Sequence, residues 1–178
     1  FFERAARAVH AAHDAGVIHR DIKPGNVMVA RDGEPVVLDF GQARDEHAAL
    51  GEQSLSGEVV GTPAYMSPEQ VAGSARAIDR RTDVWSLGAS LYEALTLERA
   101  FDGRSIADLL LGIQTRVPRD ARSLNPALDV DTAVVLETAL EKDVRRRYAS
   151  ALDLAEDLRR VREYEPIRAR PAGPILKF

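Results

Sequence analysis

Apolar residues recur at helical spacing from the first position. Phe1, Phe2, Ala5, Val9 and Ala12 share one face, and Gly16 supplies a stop, so the pattern predicts a helix that ends near residue 15. Val17-Ile18 is a short apolar run. Val27-Met28-Val29 and Val36-Val37-Leu38 are two more, joined across Arg31-Asp32-Gly33, and Asp-Gly between β-formers is a hairpin signal. After Leu38 the period becomes helical. Ser67-Pro68-Glu69-Gln70 reads as a helix start with Ser at the cap, Pro at the first helical position and Gln completing a capping box. Thr82 is placed to cap a helix through Val84, Leu87, Leu91 and Leu95. Trp85, Ala89 and Tyr92 make that helix apolar on its other faces, which predicts burial. Ser105 with Asp108, Asp131 before Val134, and Ser150 with Asp153 open three more. The pattern predicts a mainly α (α+β) domain with one small β-hairpin near its start.

Composition narrows the function classes. The chain has 178 residues, 45% hydrophobic and 29% charged, enough for one packed core. Its net charge of −4 offers no global basic field, so no nucleic-acid partner is expected. It has no cysteine, which excludes disulfides, thiolate zinc sites and cysteine nucleophiles. The longest apolar stretch, Val84 to Leu97, contains Glu93 and is too short to span a bilayer, so no membrane contact by this segment is expected. Residues 165–178 hold Pro166, Pro171 and Pro174 among Arg168, Arg170 and Lys177, and read as a linker or basic juxtamembrane tail after a domain over 1–164.

The chemistry concentrates before and after the hairpin. His19-Arg20-Asp21-Ile22-Lys23-Pro24-Gly25-Asn26 places a carboxylate, an ammonium and an amide on one loop, and Asp39-Phe40-Gly41 follows the second strand. Such a set suits a metal–phosphate site. Mg²⁺ takes oxygen ligands, which Asn26 and Asp39 can supply alongside phosphate. Asp21 can accept a proton from an attacking hydroxyl, Lys23 can neutralise a transferring phosphate, and Gly41 allows a sharp turn after the ligand.

With these residues the chain resembles the eukaryotic-type (Hanks-type) protein kinases, in their bacterial serine/threonine branch. The resemblance rests on His-Arg-Asp at 19–21, Lys23, Asn26, Asp-Phe-Gly at 39–41, Gly-Thr-Pro-Ala-Tyr-Met-Ser-Pro-Glu at 61–69, Asp-Val-Trp-Ser-Leu-Gly at 83–88 and Arg147-Tyr148, in order and spacing. It implies a kinase C-terminal lobe whose hairpin lies at the catalytic loop, using ATP with Mg²⁺ or Mn²⁺ and acting on Ser/Thr hydroxyls of protein substrates. Asp21 is then the catalytic base and Lys23 the γ-phosphate contact. Asn26 and Asp39 are the metal ligands, Met28 is the floor beneath adenine, and Thr62 shapes the acceptor pocket. His19, Arg20, Phe40, Gly41 and Asp83 are implied as scaffold, and Glu69 with Arg147 as a buried ion pair. Ser54 and Ser56 become phosphosite candidates whose phosphate Arg20 would receive. His10, His13 and His47 are expected on helix surfaces or in solvent.

No Gly-x-Gly-x-x-Gly and no Val-Ala-x-Lys occur in the chain. The expectation is therefore a lobe whose N-terminal partner lobe lies upstream in the same parent chain, cytoplasmic, and inactive by itself. A pseudokinase or docking scaffold is the alternative reading.

Overall fold

The computed structural model describes residues 1–40, 62–73 and 77–170. In chain order they form α1 (Phe2–Asp14), a 3-10 turn (Pro24–Asn26), β1 (Val27–Val29), β2 (Pro35–Val37), a 3-10 turn (Thr62–Tyr65), α2 (Pro68–Val71), α3 (Arg81–Thr96), α4 (Ile106–Thr115), α5 (Ala121–Leu124), α6 (Val130–Ala139), a 3-10 turn (Val144–Arg146) and α7 (Ala151–Arg162).

The all-round apolar character of α3 has a direct structural meaning, because the helix lies between two cores. Val84 and Leu87 face a cluster built with Ala5, Ala6 and Val9 of α1, Val135 of α6 and Leu154 of α7. Trp85, Ala89, Leu91 and Tyr92 face a second cluster with Ala64, Tyr65, Phe101, Leu109, Ile113 and Leu140. A one-faced helix could not serve both. Gly88 lets α3 and α6 approach, since a Cβ there would lie 2.7 Å from the Cβ of Ala139.

The helix starts follow their predicted chemistry in three cases. Ser67 forms a full capping box with Gln70, and the Ser105 and Ser150 side chains accept from the backbone N–H groups of Asp108 and Asp153. Two differ. α3 begins at Arg81, without a side-chain cap, because the Thr82 hydroxyl is committed to Glu69. α6 is capped by Asp129 rather than Asp131, its carboxylate accepting from the N–H and hydroxyl of Thr132.

The hairpin forms as expected, with Val27 opposite Val37, Met28 opposite Val36 and Val29 opposite Pro35. Gly33 takes φ +82° in the turn, and Asp32 accepts from the N–H of Glu34. Val27 and Val37 turn inward onto the first core, while Met28 and Val36 face out. Val17-Ile18 forms no strand.

Past residue 164 the chain is still packed. Ile167 lies in the first core, and the fully buried Asp157 carboxylate accepts from the N–H groups of Arg168 and Ala169 at 2.8 Å each and from the Tyr148 hydroxyl at 3.0 Å. Pro166 and the arginines suggest an extended linker, but one apolar side chain and two backbone donors fix the segment through Ala169. Among the described residues no helix is long and apolar enough to cross a membrane.

Candidate active site

The site begins with a carboxylate sealed from solvent. Asp83, in the first turn of α3, is fully buried. Its Oδ2 accepts from the N–H of His19 at 2.8 Å, and its Oδ1 accepts from the N–H of Arg20 at 2.7 Å. The next donor, the N–H of Asp21, is taken by Nδ1 of His19 at 3.2 Å. Side chains thus place three successive backbone N–H groups. Arg20 sits at φ +68°, a left-handed conformation that a non-glycine residue holds only when its surroundings impose it. The Arg20 carbonyl is held as well, accepting from Nε2 of Gln70 at 2.7 Å.

His19 joins this loop to the end of the hairpin. Its ring is fully buried, and Nε2 donates to the Leu38 carbonyl at 2.7 Å, while Nδ1 accepts from Asp21. These two bonds assign the neutral Nε2–H tautomer. The ring also packs against Phe40, with centroids 4.7 Å apart. Asn26 closes the other side, its carbonyl accepting from the N–H of Leu38 at 2.8 Å. Asp39 therefore follows a residue tied to both ends of the 19–26 loop. It is exposed and itself left-handed at φ +60°.

Asp21, Lys23 and Asn26 meet. The Lys23 ammonium lies 2.7 Å from Oδ2 of Asp21. Nδ2 of Asn26 donates to the same oxygen at 2.9 Å and to the Asp21 carbonyl at 2.8 Å. Asn26 is buried, whereas the Asp21 and Lys23 side chains keep 16% and 24% of their exposure, enough for a substrate atom to reach them. Both donor hydrogens of Asn26 are spent on Asp21, which leaves its Oδ1 as the available acceptor among the described residues.

The donor chemistry fits a hard cation. No group of three or more His, Cys, Asp or Glu among the described residues could hold a metal by itself. Asn26 and Asp39 contribute only oxygen, so a metal here would complete its shell with phosphate and water, as Mg²⁺ does.

Behind the loop, Glu69 and Arg147 form a bidentate pair, with both N···O distances 2.7 Å and side chains 5% and 0% exposed. Burial works to raise the Glu69 carboxyl, but the hydrogen bonds and charge of Arg147 outweigh it and hold the group below its usual range. The Arg147 guanidinium also donates to the carbonyls of Glu141 and Arg81 and stacks over Trp85.

Several expected positions are not described by the structure. Gly41, Ser54, Ser56 and His47 lie outside the described residues, and Thr62 is described only as the start of its 3-10 turn. One expectation is corrected. His13 is not on the surface: its side chain is 1% exposed, with Nε2 2.7 Å from Oδ2 of Asp83. It belongs to the inward stripe with Ala6 and Val9, at i+3 and i+7 from Ala6, a spacing readable in the sequence.

Against known proteins, residues 1–158 match the family model described as "Protein kinase domain". The chain is 39% identical over 167 residues to serine/threonine-protein kinase PknB of Mycobacterium tuberculosis (strain ATCC 25618 / H37Rv), a match covering 93% of this chain and 26% of that protein. It is 35% identical over 170 residues to "Probable serine/threonine-protein kinase SCO3848" of Streptomyces coelicolor (strain ATCC BAA-471 / A3(2) / M145), covering 93% of this chain and 24% of the relative. The chain spans about a quarter of the length of these curated relatives.

Proposed function

This chain belongs to the protein kinase family, and from that premise we propose that it carries the phosphoryl-transfer loop of a serine/threonine kinase. The product of the complete gene then moves the γ-phosphate of ATP to Ser and Thr hydroxyls of proteins. The acceptor oxygen bonds to the γ-phosphorus, the bond from that phosphorus to the leaving ADP oxygen breaks, and the hydroxyl proton passes to Asp21. The observation that carries this reading is the convergence of Lys23 and Asn26 on Oδ2 of Asp21, on a loop whose backbone N–H groups are fixed one by one.

Each residue has a distinct task. Asp21 orients the hydroxyl and takes its proton, with Lys23 and Asn26 fixing the carboxylate plane. Lys23 screens the negative charge of the moving phosphoryl group. Asn26 through Oδ1 and Asp39 through its carboxylate are the residues that would hold Mg²⁺ or Mn²⁺. Bound MgATP supplies the phosphoryl group and spreads its developing charge. Met28, 55% exposed on the outward hairpin face, is the floor for adenine. Thr62 and Lys23 together direct the site to Ser/Thr acceptors. Phosphate on Ser54 or Ser56 docks on Arg20, whose buried Nε has no partner among the described residues. The 178 residues alone are expected to transfer no phosphate, because nothing in them supplies a glycine-rich phosphate grip.

The test is transfer of radiolabelled γ-phosphate by the complete gene product to a protein substrate. Wild type should label Ser and Thr, and Asp21→Asn should lower kcat by about 10²–10⁴ without unfolding the protein. Unchanged turnover in that variant, or no transfer by a wild type that binds ATP, would overturn the reading; the latter result would favour a docking scaffold.

A further inference from the structure

We propose that Gln70 is a positioning residue that couples the segment 62–71 to the base, by fixing the peptide plane that joins Arg20 to Asp21; this rests on the kinase reading of Asp21. One side chain serves two elements. Oε1 of Gln70 accepts from the N–H of Ser67 at 2.9 Å and from the Ser67 hydroxyl at 3.2 Å, which completes the capping box of α2. Nε2 then donates to the Arg20 carbonyl at 2.7 Å, 50 residues away in the chain. Two donors on one side and a carbonyl on the other assign the amide orientation. A capping box needs only the acceptor, and Glu serves there as well as Gln. A carboxylate has no N–H for Arg20, so the second contact is what selects the amide.

The plane between Arg20 and Asp21 is gripped at both ends. Its N–H donates to Nδ1 of His19 at 3.2 Å, and its carbonyl takes the shorter bond from Gln70. The mount of Gln70 is firm. Glu69, the residue before it, is paired with Arg147 and accepts from the Thr82 hydroxyl, and the Ser86 hydroxyl of α3 donates to the Tyr65 carbonyl at 2.8 Å. α2 and the turn before it are thus set on α3 and Arg147, and Gln70 passes that position to the loop. The loop needs such a hold because Arg20 lies at φ +68°, a strained conformation that persists only while its contacts impose it. Turning the plane changes ψ of Arg20 and φ of Asp21 together. The change in φ swings the Asp21 carboxylate away from Lys23 and Asn26, which meet it at Oδ2.

The experiment separates the two contacts in the complete gene product. Gln70→Glu keeps the cap acceptor and sets a carboxylate oxygen against the Arg20 carbonyl. It should unfold in urea at the wild-type midpoint, yet lower kcat by about ten-fold with KM for ATP within about two-fold. Amide hydrogen exchange at Asp21 should speed by about ten-fold, while Arg168 and Ala169, held by Asp157, stay at their wild-type rates. Ser67→Ala is the converse. It removes the capping hydroxyl and leaves the Ser67 N–H to hold Oε1, so it should lower the urea midpoint and keep kcat within about two-fold of wild type. Gln70→Met, which loses both contacts, should show both losses.

Wild-type kcat and Asp21 exchange in Gln70→Glu would overturn the proposal. So would a Gln70→Glu protein that unfolds as early as Gln70→Met or fails to fold, since Gln70 would then belong to the helix start alone. A Ser67→Ala variant that loses as much kcat as Gln70→Glu also overturns it, because the cap and not the Arg20 contact would govern the base. A wild type that transfers no phosphate sinks the kinase reading instead, and the exchange contrast at Asp21 still decides whether Gln70 holds the plane.

Discussion

Asp21 and Glu69 are both acids that face a basic partner at 2.7 Å, yet they occupy opposite environments. Glu69 uses both oxygens on Arg147 and gives Oε1 also to the Thr82 hydroxyl, and the pair is sealed from solvent. Among the described residues the Asp21 side chain is engaged through Oδ2 alone; it keeps part of its exposure and stands beside a left-handed Arg20. Both Glu69 oxygens are engaged and the pair is buried, so its role is to hold elements far apart in sequence. Asp21 is held firmly on one side and open on the other, the condition a proton acceptor needs. The separation predicts that changes at the base of the molecule alter stability, and that changes around the loop alter turnover.

The largest stability effect should come from Arg147→Ala. It strands the Glu69 carboxylate in the interior and removes the donors to the Glu141 and Arg81 carbonyls. Breaking one side of a buried pair costs about 3–5 kcal/mol. Urea unfolding should show that loss, against a change within about 0.5 kcal/mol for Asp21→Asn. Acid dependence gives a second readout. The Glu69 carboxyl is lower in the folded state than in the unfolded chain, so its contribution is present above its ordinary value and disappears as pH falls through the folded one. Arg147→Ala should erase that part of the acid transition. Equal losses for Arg147→Ala and Asp21→Asn would remove the distinction between the two regions.

This division was partly legible in the sequence, and the limits have physical causes. Local signals worked where structure is locally determined: Ser67, Ser105 and Ser150 cap their helices, and Asp32-Gly33 turns the hairpin. The all-apolar faces of α3 correctly announced burial, because no surface helix can afford them. Thr82 misled because a hydroxyl near a helix start has the chemistry of a cap, and only the fold brings Glu69 within its reach. Asp131 and Asp129 are both acceptable caps two residues apart, and the hydroxyl of Thr132 settles the choice. His13 was missed because its partner lies 70 residues away, a contact that periodicity can suggest but not name. The Asp157 clamp was missed for the same reason, since proline and arginine dominate the local pattern while Ile167 decides the packing.

A smaller effect is expected at Lys142, which sharpens the picture of the base. Its ammonium lies 3.9 Å from the Phe101 ring centroid and 4.8 Å from that of Trp85, two rings stacked 5.4 Å apart, and donates to the Ile113 carbonyl. Burial, and then the neighbouring Arg147 charge, push this amine down to about 7. The rings and the carbonyl favour the charged form. With the folded value below the unfolded one, the unfolded chain binds more protons between those values. Wild-type stability should therefore rise as pH goes from about 7 towards 10.5. Lys142→Met should flatten that rise while keeping the volume over the rings. A rise of the same size in the variant would mean that Lys142 is not its source.

The smallest stability effect is expected on the outward face of the hairpin, where the comparison meets its hardest test. Met28 and Val36 are cross-strand partners with 55% and 43% exposure, so neither contributes much to the core. If the face exists only to meet solvent, Met28→Asp is neutral for stability and for activity. If it is the floor for adenine, the same change leaves urea unfolding within about 0.5 kcal/mol and still damages binding. Covering such a side chain is worth about 1.5–3 kcal/mol, so KM for ATP in the complete gene product should rise by roughly ten- to a hundred-fold while the label still goes to Ser and Thr. Replacing Met28 with Leu keeps the apolar surface and should leave KM near wild type. A normal KM in Met28→Asp would return this face to solvent and confine the functional region to the loop around Asp21.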